Sequence, residues 1–122
     1  PKEVKIGSPA AGLAVTDKTL KDRPDLVRKL IRPLLRALRV IHGNAEVAKR
    51  IMAKWLDQSP QVAADSYDLI VASFSRDGEA DETTLKAVIE ARRKSGKVEK
   101  EIPLEQVVDF RLAREVRREL GF

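Results

Sequence analysis

The sequence predicts a mainly α chain, a compact helical domain of about five helices with a short N-terminal extended segment. Three observations predict it. Apolar residues recur at i, i+3, i+4 spacing through most of the chain. Capping residues stand at the borders of these runs. Strand-like fragments are confined to the first twenty positions. The expected organisation is residues 1–20 as an extended or loop segment and residues 21–122 as a helical domain.

In the first segment, Val4, Ile6 and Leu13-Ala14-Val15 are separated by Gly7-Ser8-Pro9-Ala10-Ala11-Gly12. Glycine and proline at that density mark a loop. No second strand run is on hand to pair with Leu13–Val15, and an isolated strand is not stable. Asp17–Leu20 reads as a short helical turn capped by Thr16 or Asp17.

The long run over 24–41 organises the rest. Leu26, Val27, Leu30, Ile31, Leu34, Leu35, Leu38 and Ile41 close on one face, with Arg28, Lys29, Arg32, Arg36 and Arg39 mostly on the other. Pro24 suits a first-turn position, whereas Pro33 sits mid-run and predicts a bend or a restart one turn later. His42-Gly43-Asn44 ends the helix, with Gly43 in a left-handed conformation, His42 over the last carbonyls and Asn44 capping the next helix. That helix covers 45–57, with Ile51, Met52 and Trp55 on an inward stripe, so Trp55 is expected to be buried. Ser59-Pro60 opens a helix over 60–74, with Ala63, Tyr67, Ile70, Val71 and Phe74 inward. Ser75-Arg76-Asp77-Gly78 is turn chemistry. A fourth helix, 82–95, is opened by Asp81 or Glu82 and stopped by Ser95-Gly96. A helical turn with Pro103 near its start covers 102–108, and a last helix covers 110–120, capped by Asp109.

Charge is unevenly spread. The chain carries +5, yet Arg23 to Lys54 holds nine Lys/Arg against Asp25 and Glu46, a local +7 that leaves −2 for the remainder. The cations follow the spacing of a solvated helix face and are not interleaved with aromatics that stack bases, so nucleic acid is not the expected partner. No run of about 18 apolar residues exists, so no transmembrane helix is expected. The first residue is Pro1 and no secretion leader is present, which reads as a processed form or a piece of something longer.

The usual chemistries find few residues. Without cysteine, disulfides and thiolate metal sites are excluded. His42 is the only histidine, so neither a His-based zinc cluster nor a Ser-His-Asp arrangement can be assembled. Asp77, Glu79, Asp81 and Glu82 form an acidic stretch, but the order D-x-[DN]-x-[DN]-G-x5-E of a calcium loop is not met. Asp65 with Asp68, and Glu115 with Glu119, are helical neighbours without a cleft. Gly7 and Gly12 match neither G-x-x-x-x-G-K-[ST] nor G-x-G-x-x-G. The expectation is no enzyme, no cofactor and no bound metal.

Several phrases carry a resemblance. Gly12-Leu13-Ala14-Val15-Thr16-Asp17-Lys18-Thr19-Leu20-Lys21-Asp22-Arg23-Pro24-Asp25-Leu26-Val27, then Asn44-Ala45-Glu46-Val47-Ala48, Phe74-Ser75-Arg76-Asp77-Gly78 and Ile102-Pro103-Leu104-Glu105-Gln106-Val107-Val108-Asp109-Phe110, resemble in order the solute-binding proteins of ABC importers, in the nitrate, sulfonate, taurine and thiamine-precursor group. The resemblance implies the C-terminal part of a type II periplasmic-binding-protein fold, a returning strand followed by a helical tail. It implies a periplasmic or extracytoplasmic location, and a small solute and an ABC permease as partners of a full-length protein. The segment that would pass the cleft is Gly7, Ser8 and Gly12. The chain by itself is expected to trap no solute and to self-associate. A stand-alone helical interaction module is the alternative.

Overall fold

The computed structural model describes residues 11–96 and 100–122. The described residues form six α-helices: α1 (Asp17–Asp22), α2 (Pro24–Gly43), α3 (Ala45–Trp55), α4 (Pro60–Ile70), α5 (Glu82–Lys94) and α6 (Arg111–Leu120). Tight 3-10 turns cover Val71–Ser73 and Leu104–Gln106. The described residues contain no strand: 11–16 is non-helical, with Leu13–Val15 exposed.

Caps set the boundaries. Thr16, Asn44, Ser59 and Asp81 each accept the backbone N–H three residues on, at 3.1, 3.1, 3.3 and 2.8 Å. Each satisfies one donor that the first helical turn leaves free. Thr16 therefore starts α1 four residues ahead of the expected domain border at 21. Asp109 accepts the Arg111 N–H at 3.0 Å, two residues on, while Phe110 occupies the cap position itself. The expected end of the third long helix at 74 is shortened: α4 stops at Ile70 and the chain tightens into the 3-10 turn.

Two expectations about α2 are corrected. Gly43 stays inside the helix and Asn44 makes the turn, so among the described residues the left-handed glycines are Gly78, Gly96 and Gly121 instead. Pro33 is accommodated within one continuous helix. Proline removes the bond to the carbonyl four residues back. Here that carbonyl belongs to Lys29, and both residues lie on the exposed side, where water can take the place of the lost donor.

The core is small and spread over five helices: Val27 and Leu35 of α2, Ala48 of α3, Ala63 and Tyr67 of α4, Leu85 of α5 and Val116 of α6. Ala48 and Ala63 let α3 and α4 approach closely. These two helices form an antiparallel hairpin across residues 56–59, since Lys49 near the start of α3 meets Asp68 near the end of α4 at 3.1 Å. The Lys49 ammonium also lies 5.2 Å from the centre of the Tyr67 ring. Tyr67 in turn donates its hydroxyl to the Ile41 carbonyl at 2.6 Å, tying the hairpin to the end of α2. Tyr67→Phe should therefore lower stability by about 0.5–1.5 kcal/mol in urea denaturation, since it removes one hydrogen bond and leaves the ring in place.

Helix α6 runs parallel to α2. Arg28 donates to Glu115 at 2.7 Å and Arg32 to Glu119 at 2.5 Å, both pairs 87 residues apart in sequence, which fixes a common direction and register. Arg39 adds its guanidinium 4.3 Å from the Phe122 ring centre. The supposed solvated face of α2 is thus partly an interface. Arg28 and Arg32, half-buried, hold α6, and Arg39, itself exposed, meets Phe122 just past its end, while Lys29 and Arg36 remain exposed.

Trp55 is the largest correction, for it is 79% exposed. It lies seven residues from buried Ala48 and so shares its direction. It is also the last residue of α3. Ile70 and Phe74, assigned inward positions on the same periodic argument, are likewise exposed.

Candidate interaction surface

Of the residues expected to face a cleft, Gly7 and Ser8 lie outside the described residues. Gly12 lies in the non-helical segment before α1, exposed, with no atom within 4 Å of the position a Cβ would take. Among the described residues two recesses stand out, both open. One of about 300 Å³ lies at the α1–α2 junction against Asp22, Arg23, Pro24, Asp25, Leu26 and Lys29. The other, about 170 Å³, lies between Leu20 and the start of α6, against Asp109, Arg111, Leu112 and Glu115. Charged side chains that keep their water line most of each, whereas small-molecule sites are concave and largely apolar.

The acidic stretch after α4 is built into the fold. Ser75 Oγ accepts the Gly78 N–H at 2.9 Å and donates to Asp77 at 2.8 Å, and Asp77 accepts the Glu79 N–H at 3.0 Å. Glu79 receives Arg114 at 2.6 Å and Asp77 receives Arg117 at 3.2 Å, so α6 is bound to this loop as well as to α2. Asp81 caps α5, and Glu82 pairs with Lys86 at 2.5 Å. No group of three His, Asp or Glu side chains able to hold a metal occurs among the described residues. His42 serves carbonyls other than those expected: its Nε2 lies 3.2 Å from both Phe74 O and Ser75 O, which pins the loop against the end of α2.

Several carboxyls sit below their ordinary range. For Asp77, partial burial pushes the value up, but the Glu79 N–H, Ser75 and Arg117 outweigh it and hold it low. Asp109 is lowered by its hydrogen bonds from Arg111, Asp81 by the Thr84 N–H, and Glu90 by Arg93. A carboxyl with a depressed folded value stabilises the fold above its usual value, 3.8 for Asp and 4.5 for Glu, and loses that contribution as pH falls through the folded value. The urea midpoint should be flat from neutrality to about pH 5 and fall below about pH 4. A midpoint that rose on acidification would contradict these pairings.

The most prominent surface feature is apolar and lies on the α3–α4 hairpin. One side of the hairpin carries Lys49, Asp68 and the Tyr67 hydroxyl and rests on α2. The helical register puts Ile51 of α3, and Val62, Ser66 and Leu69 of α4, toward the opposite side, and Trp55, in line with Ala48 at the end of α3, borders this strip and is exposed. Ile51 is 47% exposed, Val62 49% and Leu69 83%. Periodicity alone did not reveal this face, because Trp55 and Ile51 fall within the arc that an amphipathic reading assigns inward. The signal that could have revealed it is that α3 and α4 meet through alanines, which leaves their larger apolar residues to the flanks.

No protein-family model matches the chain, and no curated protein and no solved structure is detectably similar to it. No helix among the described residues is long and apolar enough to cross a membrane.

Proposed function

We propose that the chain is the C-terminal helical portion of an ABC-importer solute-binding protein for a small organic or anionic solute, acting extracytoplasmically with an ABC permease as part of a longer protein. The observation that carries this reading is the stretch from Gly12 to Val27. An apolar, exposed, non-helical segment at Leu13–Val15 leads through α1 into α2 at Pro24, the element order that the resembling phrase implies. Such a segment matches a strand whose sheet lies elsewhere, because its backbone groups have no ladder partner among the described residues. The open, charge-lined recesses support the further statement that this chain traps no solute by itself. A cleft needs two walls to desolvate a ligand.

The encoding reading frame provides one test. An upstream α/β lobe with a secretion signal is expected, and a frame lacking one would overturn the reading. Calorimetric titration of the 122-residue chain with taurine, nitrate and a thiamine-precursor pyrimidine provides the other. No heat is expected, and micromolar binding of any of the three would defeat the claim that the helical part does not bind alone.

A second reading, a stand-alone helical interaction or self-association module, is favoured by one specific observation, the uncovered apolar side of the α3–α4 hairpin.

A further inference from the structure

We propose that this side of the hairpin pairs with the same side of a second copy, about a two-fold axis parallel to the helices, so that α3 of each copy lies over α4 of the other. The inference rests on the self-association reading and is independent of the solute-binding one.

The apolar strip supplies the attraction. Lys49 opposite Asp68 sets the level of residues across the antiparallel hairpin, and by the same register Trp55 is level with Val62 and Ile51 with Ser66. The proposed axis repeats these levels between copies. Trp55 of each chain then lies over Val62 of the other, near the partner's Ser59-capped helix start, with Leu69 at the far end of the strip. A tryptophan, an isoleucine, a valine and a leucine held on rigid helices cover area at little entropic cost.

Charge selects the axis. Arg50 and Lys54, one turn apart, edge the strip on α3, and neither has a carboxylate partner among the described residues. Asp65 edges it on α4, where its one described partner is the neutral Gln61, at 2.9 Å. With α3 over α4, the cations of each copy meet Asp65 of the other twice over. With the axis turned perpendicular to the helices, α3 would lie over α3, and Arg50 and Lys54 would face their own copies. Like charges in register oppose that arrangement. A two-fold contact also closes on itself and leaves no strip open for further addition. Two helices of this length, each about 16 Å long, give a contact at the small end of specific interfaces, so the dimer should be weak, in the micromolar range.

Sedimentation velocity on the full chain from about 1 μM to about 1 mM tests this, together with the emission of Trp55, the only tryptophan. The expected result is a monomer–dimer equilibrium with the emission moving to the blue as concentration rises. Trp55→Ala and Leu69→Ala should each raise Kd by about tenfold or more, with far-UV ellipticity unchanged because both residues are exposed. Asp65→Lys, and Arg50→Glu with Lys54→Glu, should each weaken pairing, and the three substitutions in one chain should restore it. A chain still monomeric at about 1 mM, with unshifted emission, would overturn the proposal and leave the strip to a different protein. A dimer indifferent to Trp55→Ala and Leu69→Ala would move the contact elsewhere and overturn it too. A dimer unaffected by Asp65→Lys would overturn the α3-over-α4 arrangement. None of these results bears on an upstream lobe in the reading frame, so the two proposals fail separately.

Discussion

Leu35→Ala is expected to cost about 2–5 kcal/mol, measured by chemical denaturation, a large part of what a domain of this size holds in reserve. Leu35 is 2% exposed and sits near the middle of α2, facing the loop at Gly78. Its surroundings are fixed from several sides. Arg114 and Arg117 hold the loop to α6, His42 holds its start to α2, and Val116, fully buried, belongs to the facing helix. A site held in this way relaxes poorly around a deleted isobutyl group, so the loss should fall in the upper part of the range. A loss below about 1 kcal/mol would mean that the loop collapses onto the vacated space.

Gly78→Ala should cost about 2–4 kcal/mol by two separable causes. Gly78 has φ +82°, a left-handed conformation that an L side chain adopts only with strain. An added Cβ would also stand 2.7 Å from Leu35 Cδ2, with Leu38 Cδ1 at 3.9 Å. The Leu35 methyl is the end of a side chain and could move in a looser place, but here it is buried. A double-mutant cycle separates the causes. In Leu35→Ala with Gly78→Ala the clashing methyl is gone, so the combined loss should fall short of the sum of the single losses by about 1–2 kcal/mol, leaving the backbone strain. Strict additivity would show that the methyl contact is not the source of the cost.

Most of the helices are legible in the sequence, and the reason is local. Thr16, Asn44, Ser59 and Asp81 each satisfy a backbone donor within three residues, and such chemistry can be read without knowing what packs where. Apolar spacing likewise located α2 to α6 to within a few residues. Which part of each apolar arc meets a neighbour was not legible. Trp55 and Ala48 are equivalent in periodicity, yet one is open and the other covered, because coverage depends on what lies over each level of the helix, which spacing does not contain. The role of the arginines was hidden for a related reason. Arg28 and Arg32 have the spacing of a solvated face, and only the return of α6, with Glu115 and Glu119 at matching spacing, turns them into an interface. Of the candidate cleft segment, spacing offered no distance to test, and no atom beyond Gly12 and its chain neighbours lies within 4 Å of the position a Gly12 Cβ would take.

The parallel seating of α6 on α2 has a consequence for how the chain acquires its shape. Helix α6, the last of the described helices to be synthesised, packs beside α2, the longest of them, with paired positions 87 residues apart. Closing a loop of that length costs about 4 kcal/mol of chain entropy before any contact repays it, whereas the α3–α4 hairpin closes locally. The hairpin and α2 can therefore form while synthesis continues, with Leu35 and the flank of α2 bare until Arg111–Leu120 has emerged and swung back. At about 5–20 residues per second that interval lasts several seconds, during which the bare flank of α2 is open to chaperones and to neighbouring nascent chains.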